Sequence, residues 1–407
     1  MRTNTPWMGR GPATVLAVLG ALLVGSAPAP AYADSIRSQQ WHLDAMKADE
    51  IWKISRGEGV TVAVIDSGVD ATNPDLQGRV LKGKDLASDS AGDERNDYDG
   101  HGTGMAGLIA GTGKSGGGDG AYGLAPGAKI LPVRIRDADW DANRVSKVQE
   151  FNKSVSIAIR YAADNGAKVI NISMGSRKGS QALASAVNYA IEKGALIFAS
   201  TGNTADEGNG LEFPAGTPGV VGVGALDKEG KKTKESQYGP QVDVSAPGEE
   251  MVHACGGKTG LCTGHGTSAA TAIASASAAL IWSKHPDWTN NQVLRVMLNT
   301  VSGPTDGVKR NDYVGYGAVR PLRALTTPGD PGPADEYPLS DLAEAEAEAS
   351  ASSSAAAGDN DAQASPSTAA VEADKSGGAG LWIGLGVGAA VVLGAAVAVP
   401  VIRSRRG

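Results

Sequence analysis

Val64-Ile65-Asp66-Ser67-Gly68, Gly100-His101-Gly102-Thr103-Gly104 and Gly266-Thr267-Ser268-Ala269-Ala270 occur in that order along the chain. Each sets one reactive side chain among small residues: an acid, an imidazole and a hydroxyl. Asp66 closes the apolar run Val60–Ile65. A carboxylate at the carboxyl end of a buried strand stands at the rim where α/β sheets place their sites. There it can accept Nδ1–H of a histidine and hold the ring in one tautomer.

The surrounding pattern fits a sheet of that kind. Val60–Ile65, Ile130–Ile135, Lys168–Ile172, Ala195–Ala199 and Val220–Val223 are short, β-branched and almost wholly apolar. That is the mark of parallel strands covered on both faces. Helical stretches are predicted between them at Gly102–Ala110, Lys153–Asn165, Gln181–Lys193 and Ser268–Lys284. The alternation predicts one α/β domain with a mostly parallel sheet over residues 57–325. From 326 to 380 the chain turns to Pro, Gly, Ala, Ser and acidic residues, too poor in apolar surface to offset its ordering entropy. A disordered tether is predicted there.

Both ends carry address signals. Arg2 and Arg10, the apolar run Ala13–Val24 and Ala31-Tyr32-Ala33 read as a secretory signal peptide, residues 1–33. Residues 34–56 are left as an N-terminal extension. Residues 381–402 hold no charge, and as a helix they reach roughly 33 Å, about the hydrocarbon thickness. Arg403, Arg405 and Arg406 follow at once. This predicts a single transmembrane helix, a cytoplasmic tail at 403–407 and an extracellular body. A net charge of −7 with no basic stripe argues against a nucleic-acid partner. Two cysteines, Cys255 and Cys262, lie in the exported part and are expected to form a disulfide. A Cys/His metal cluster with His253 and His265 is the alternative.

Glycines around His101 remove bulk where a helix must start against neighbouring backbone. His265 repeats the same Gly-His-Gly-Thr setting, but it sits three residues before Ser268 and would ride on the same turn. A base has to arrive from another element with an acid behind it, so His101 is the candidate base and Ser268 the nucleophile. His265 is assigned a cleft-lining or structural part. The backbone N–H of Ser268, at a helix start, is a ready donor to a developing oxyanion. Asn203, on the Gly turn of Ser200-Thr201-Gly202-Asn203, is the candidate side-chain donor beside it.

Taken together, the Asp, His, Ser order and these segments resemble the subtilisin-like serine peptidases over residues 57–325. The likeness extends to Asn171-Ile172-Ser173-Met174-Gly175 and to Phe213-Pro214-Ala215 leading into Pro218-Gly219-Val220-Val221. It implies a three-layer fold and a serine endopeptidase acting on protein or peptide, with no cofactor and no metal in the chemistry. It also implies that Ser173, Met174 and Gly175 bind substrate by strand addition. Within the family the chain most resembles the mycosins, membrane-anchored peptidases of type VII secretion, through its signal peptide, Gln40-Trp41-His42-Leu43, tether, span and basic tail. That likeness leaves a second role open, a structural subunit of a secretion membrane complex with proteolysis secondary.

Two departures from the family stand out. Ala272 occupies the place, four residues after the nucleophile, where the family usually has proline. The stretch before Asp66 is too short for a folded inhibitory pro-domain, and the likeness to the mycosins implies an extension wrapped on the domain instead. Asp89, Asp93, Asp97 and Asp99 crowd the loop before His101. Their spacing matches no calcium loop, and a solvated acidic loop is expected.

Overall fold

The five apolar runs of the body form strands in the computed structural model, which describes residues 1–3, 35–136, 145–256, 259–345 and 347–348. They are Thr61–Asp66 (β1), Lys129–Arg134 (β3), Val169–Ile172 (β4), Leu196–Ser200 (β5) and Val221–Leu226 (β6). Lys84–Asp85 (β2) and Val244–Pro247 (β7) add the two edges. The order is β2-β3-β1-β4-β5-β6-β7, and the neighbours pair in parallel. Met251–Ala254 (β8) and Leu261–Gly264 (β9) form a separate antiparallel hairpin.

Strand periodicity divides the core into two layers. Val62 and Val64 point to one face, Ala63 and Ile65 to the other. Leu196 and Phe198 alternate with Ile197 and Ala199 in the same way. The first face is covered by the helices His101–Ala110, Thr267–Lys284 and Asn290–Thr300, the second by Val145–Asp164 and Gln181–Glu192. The Thr267–Lys284 helix is buried from Thr267 to Trp282. Its run of Ala and Ser lets the sheet and its neighbours approach from all sides, so a larger residue at Ala270 would overpack the core by about 1–3 kcal/mol. Ala272, where proline was expected, is fully buried in this helix.

The N-terminal extension folds as three short helices, Ile36–Gln39, Trp41–Ala45 and Ala48–Ile51. Buried Gln40 fastens it: Nε2 donates to the carbonyls of Tyr122 and Val252, and Oε1 accepts from the Tyr122 amide. Trp41 donates from Nε1 to the Glu249 carbonyl.

One expectation is corrected here. Residues 327–345, assigned to a disordered tether, form a strap against the domain. Arg295 donates to the carbonyls of Pro331, Pro333 and Glu336, and Asn291 to that of Ala334. Tyr337 donates its hydroxyl to the Gly219 carbonyl, and Leu339 is buried. Backbone carbonyls captured by side chains order this segment without an apolar run of its own. Among the described residues no helix is long and apolar enough to cross a membrane. The signal peptide beyond residue 3, the tether beyond 348, the segment 381–402 and the tail 403–407 lie outside the described residues.

Candidate active site

Three adjacent strands deliver residues to one edge of the sheet. Asp66 is the last residue of β1, Ser173-Met174-Gly175 follow β4, and Thr201-Gly202-Asn203 follow β5. Carboxyl ends of parallel strands open where covering helices leave a crevice. Two helices begin there: His101 is the first residue of one and Ser268 the second of the other.

Asp66 and His101 are paired, with Oδ1 2.8 Å from Nδ1. Since a carboxylate only accepts, Nδ1 carries the shared proton, and in the neutral ring Nε2 is left as the acceptor. The approach depends on Gly102, where a Cβ would stand 2.1 Å from the Gly68 carbonyl oxygen and 3.0 Å from Asp66 Cβ. Asp66 is fully buried and also accepts the Ser67 amide at 2.8 Å, whereas the His101 side chain is 37% exposed. Desolvation pulls the imidazole down; the charge and hydrogen bond of Asp66, with Asp99 and Asp97 behind them, outweigh it and hold His101 up at about 9.

Ser268 lies in the same cavity, and among the described residues its hydroxyl donates to the Ser173 carbonyl at 3.0 Å rather than to His101. The contact is reciprocal, since Ser173 Oγ donates to the Ser268 carbonyl at 3.2 Å. Behind it, Asn171 donates to Ser173 Oγ and accepts from Ser275 Oγ. Asn203 faces the same space. Its Oδ1 accepts the Thr267 amide at 2.8 Å and the Thr267 hydroxyl at 3.0 Å. That fixes the amide orientation and keeps Nδ2 as the donor. The cavity measures about 240 Å³ and is lined by His101, Ser173, Asn203 and Ser268 together with Ser200, Gly202 and Glu212. A larger cavity, about 1000 Å³, lies under the strap beside Trp282 and Trp288.

The other sequence candidates fall elsewhere. His265 is outside this cavity, with its side chain 71% exposed and Nδ1 2.8 Å from Glu235 Oε1. Cys255 and Cys262 are joined as a disulfide across the β8–β9 hairpin. His253, buried beneath the His101 helix, is pushed down by desolvation, and its Nδ1 is bonded to the Ala254 carbonyl. Among the described residues no group of three or more His, Cys, Asp or Glu side chains is gathered as a metal site.

Asp89, Asp93 and Asp99 are exposed, as a solvated acidic loop requires, and Asp97 alone departs from that expectation. Asp97 Oδ1 accepts the Ser67 hydroxyl at 2.8 Å and the Gly100 amide at 2.9 Å. Its Oδ2 accepts the amide and hydroxyl of Thr103 at 2.7 and 2.6 Å. Asp97 thereby ties the end of β1 to the first turn of the His101 helix. Arg134, fully buried, grips Asp85 with two bonds and the carbonyls of Ser90, Ala91 and Gly92 with others, holding the loop that leads to Asp97. Arg134 was not singled out from sequence and Asp97 only as one acid of its loop, because the contacts that give them their parts join distant segments.

Residues 57–318 match the model of the Subtilase family. A thermophilic serine proteinase of Bacillus sp. (strain AK1) is 35% identical over 68% of this chain and 65% of its own length. The chain thus spans just under two thirds of that relative. Among solved structures, MycP1 from Mycobacterium smegmatis superposes with a TM-score of 0.62 at 30% identity, over 73% of this chain and 86% of that one. The MycP3 protease of the type VII (ESX-3) secretion system gives a TM-score of 0.60 at 32% identity, over 70% and 88%.

Proposed function

The chain belongs to the subtilase family, and from that membership we propose that it is a serine endopeptidase working through Ser268, His101 and Asp66. The observation that carries the reading is the 2.8 Å contact of Asp66 with His101 Nδ1, in one cavity with Ser268 and Asn203. Ser268 turns from the Ser173 carbonyl toward His101 and attacks a peptide carbonyl, and Nε2 takes the hydroxyl proton. Asp66 holds the ring and balances the imidazolium charge. The oxyanion is received by Asn203 Nδ2 and the Ser268 amide. His101 returns the proton to the leaving amine, and water then releases the acyl group by the same steps in reverse. Ser173, Met174 and Gly175 align the substrate backbone. No cofactor or metal is required by these steps.

We further propose that the peptidase domain works outside the cell, anchored by residues 381–402 with Arg403, Arg405 and Arg406 inside. Association with a type VII secretion membrane complex is supported by the likeness to MycP1 and MycP3. Cleavage of a fluorogenic peptide library tests the chemistry: Ser268→Ala, His101→Ala and Asp66→Asn should each abolish most turnover, and full turnover in any of them refutes that residue's role. A structural role in the secretion complex is separated by comparing Ser268→Ala with deletion of the chain. Complex assembly should survive the point substitution and fail on deletion. Equal failure would tie assembly to proteolysis.

A further inference from the structure

Glycines wedge the His101 helix between two strands. Gly102 lies against Asp66 and Gly68 at the end of β1. Gly104 and Gly107, three residues apart and so on one face, lie against β8. A Cβ on Gly107 would stand 2.8 Å from the Ala254 carbonyl oxygen. One on Gly104 would stand 2.7 Å from His253 Cε1 and 3.1 Å from its Nδ1, and the nearest atoms it would meet all belong to that ring. A Cβ on Gly264 of β9 would stand 2.9 Å from Nε2 of the same imidazole. The ring thus fills the space between helix and hairpin where two side chains are missing.

Its surroundings hold it there. His253 is buried, and its Nδ1 donates to the Ala254 carbonyl at 2.9 Å. It stands opposite Cys262 in the β8–β9 register, and Cys262 is bonded to Cys255 on the β8 side. Gln40 of the N-terminal extension grips the neighbouring Val252 carbonyl. The titratable groups that act on the two buried rings of this layer are His101 from the helix and His42 with Arg37 from the extension. Desolvation pushes His253 below its ordinary 6.5 against the Ala254 bond, and the charge of His101 adds to the fall. The ring is therefore neutral at pH 7 and above and acts through its bulk.

We propose that His253 is a positioning residue: clamped between Gly104 and Gly264, it sets the height at which the His101 helix presents its imidazole to Asp66 and Ser268. This role rests on reading His101 as the base. Misplacing a reacting group by about 1 Å can cost about 10²-fold, so slack beneath this helix is readable in kcat.

A double-substitution cycle on the full-length protein tests it, read by kcat, KM and the acid limb of kcat/KM. Gly104→Ala drives a methyl into the ring and should lower kcat by roughly 10- to 100-fold with KM little changed. His253→Ala leaves slack and should lower kcat by about tenfold. In both, a slackened Asp66–His101 contact should move the limb to lower pH, because Asp66 raises His101. His253→Ala removes no charge, so that movement comes through geometry. Combined, the new methyl occupies the vacated space, and kcat should recover at least about tenfold over Gly104→Ala, with the limb returning toward wild type. Single variants that lower the Tm but leave kcat and limb in place overturn the proposal, as does a double variant no better than the product of the singles. If Gly104→Ala does not fold, the double variant must, since alanine favours a helix over glycine. A double variant that also fails to fold overturns the clamp. His101→Ala separates the two readings: cleavage that survives in it refutes His101 as base, whereas an inactive His101→Ala beside unaffected Gly104→Ala and His253→Ala refutes the clamp alone.

Discussion

Replacing Asp97 by asparagine should damage both stability and catalysis although no atom of Asp97 touches substrate. Each carboxylate oxygen faces donors: Ser67 Oγ and the Gly100 amide on Oδ1, and the amide and hydroxyl of Thr103 on Oδ2. An asparagine must turn its NH2 toward one side, so either the Gly100 and Asp99 amides or the Thr103 amide lose their acceptor, and the hydroxyl on that side must turn round to accept. Hydrogen bonds to a charged group contribute about 1.5–3 kcal/mol each, and relaxation recovers part, which leaves a loss of ~2–4 kcal/mol. Urea unfolding at pH 7 reads this directly. The same substitution removes one of the charges that raise His101 and loosens the helix start that aims it. The acid limb of kcat/KM should therefore move to lower pH, and kcat should fall on the order of tenfold. A merely structural residue would lower stability and leave the limb in place. Stability within ~0.5 kcal/mol of wild type together with an unmoved limb would refute the reasoning.

Other outcomes follow from the same geometry. His101 must be neutral to accept the Ser268 proton and is held at about 9, so kcat/KM should climb through the alkaline range instead of levelling just above 6.5. Asp99→Asn should shift that climb downward, and a rate already flat at pH 7 contradicts it. Asn203→Ala should lower kcat by about 10²–10³ with little change in KM, the magnitude being the one found for such an amide in a subtilisin; a loss seen mainly in KM would disagree. Burial pushes Asp243 from 3.8 to about 8 against the Gly222 amide bond, with Asp341 adding to the rise. The folded protein then keeps a proton that the unfolded chain releases, so stability declines as pH rises from about 4 to about 8. Asp243→Asn should raise the Tm at pH 8.5 and change it little at pH 4.5, and an equal effect at both would exclude titration as the cause.

The parts of the fold visible in the sequence are those whose signal is local. The core strands β1, β3, β4, β5 and β6 announce themselves as apolar runs, and Asp66, His101 and Ser268 sit in small-residue settings that mark close approach. Val244–Pro247 escaped notice because its letters, with a serine and a proline, carry no strand period. The β8–β9 hairpin has an exposed polar second strand and is held by backbone pairing and a disulfide. Residues 327–345 look like a tether since their order depends on Arg295, Asn291 and Gly219, all from other segments. The same holds at the site. Asp97 is one acid among several in its loop, and Glu212 a lone acid between Leu211 and Phe213. Only folding brings the first onto the His101 helix and the second into the cavity of Ser268.

The most direct measurement is the site of covalent modification by a fluorophosphonate, mapped by peptide mass spectrometry. A single adduct on Ser268 is expected in wild type, formed faster as pH rises and absent from Ser268→Ala. An adduct on any other residue, or labelling that persists in Ser268→Ala, would contradict the account.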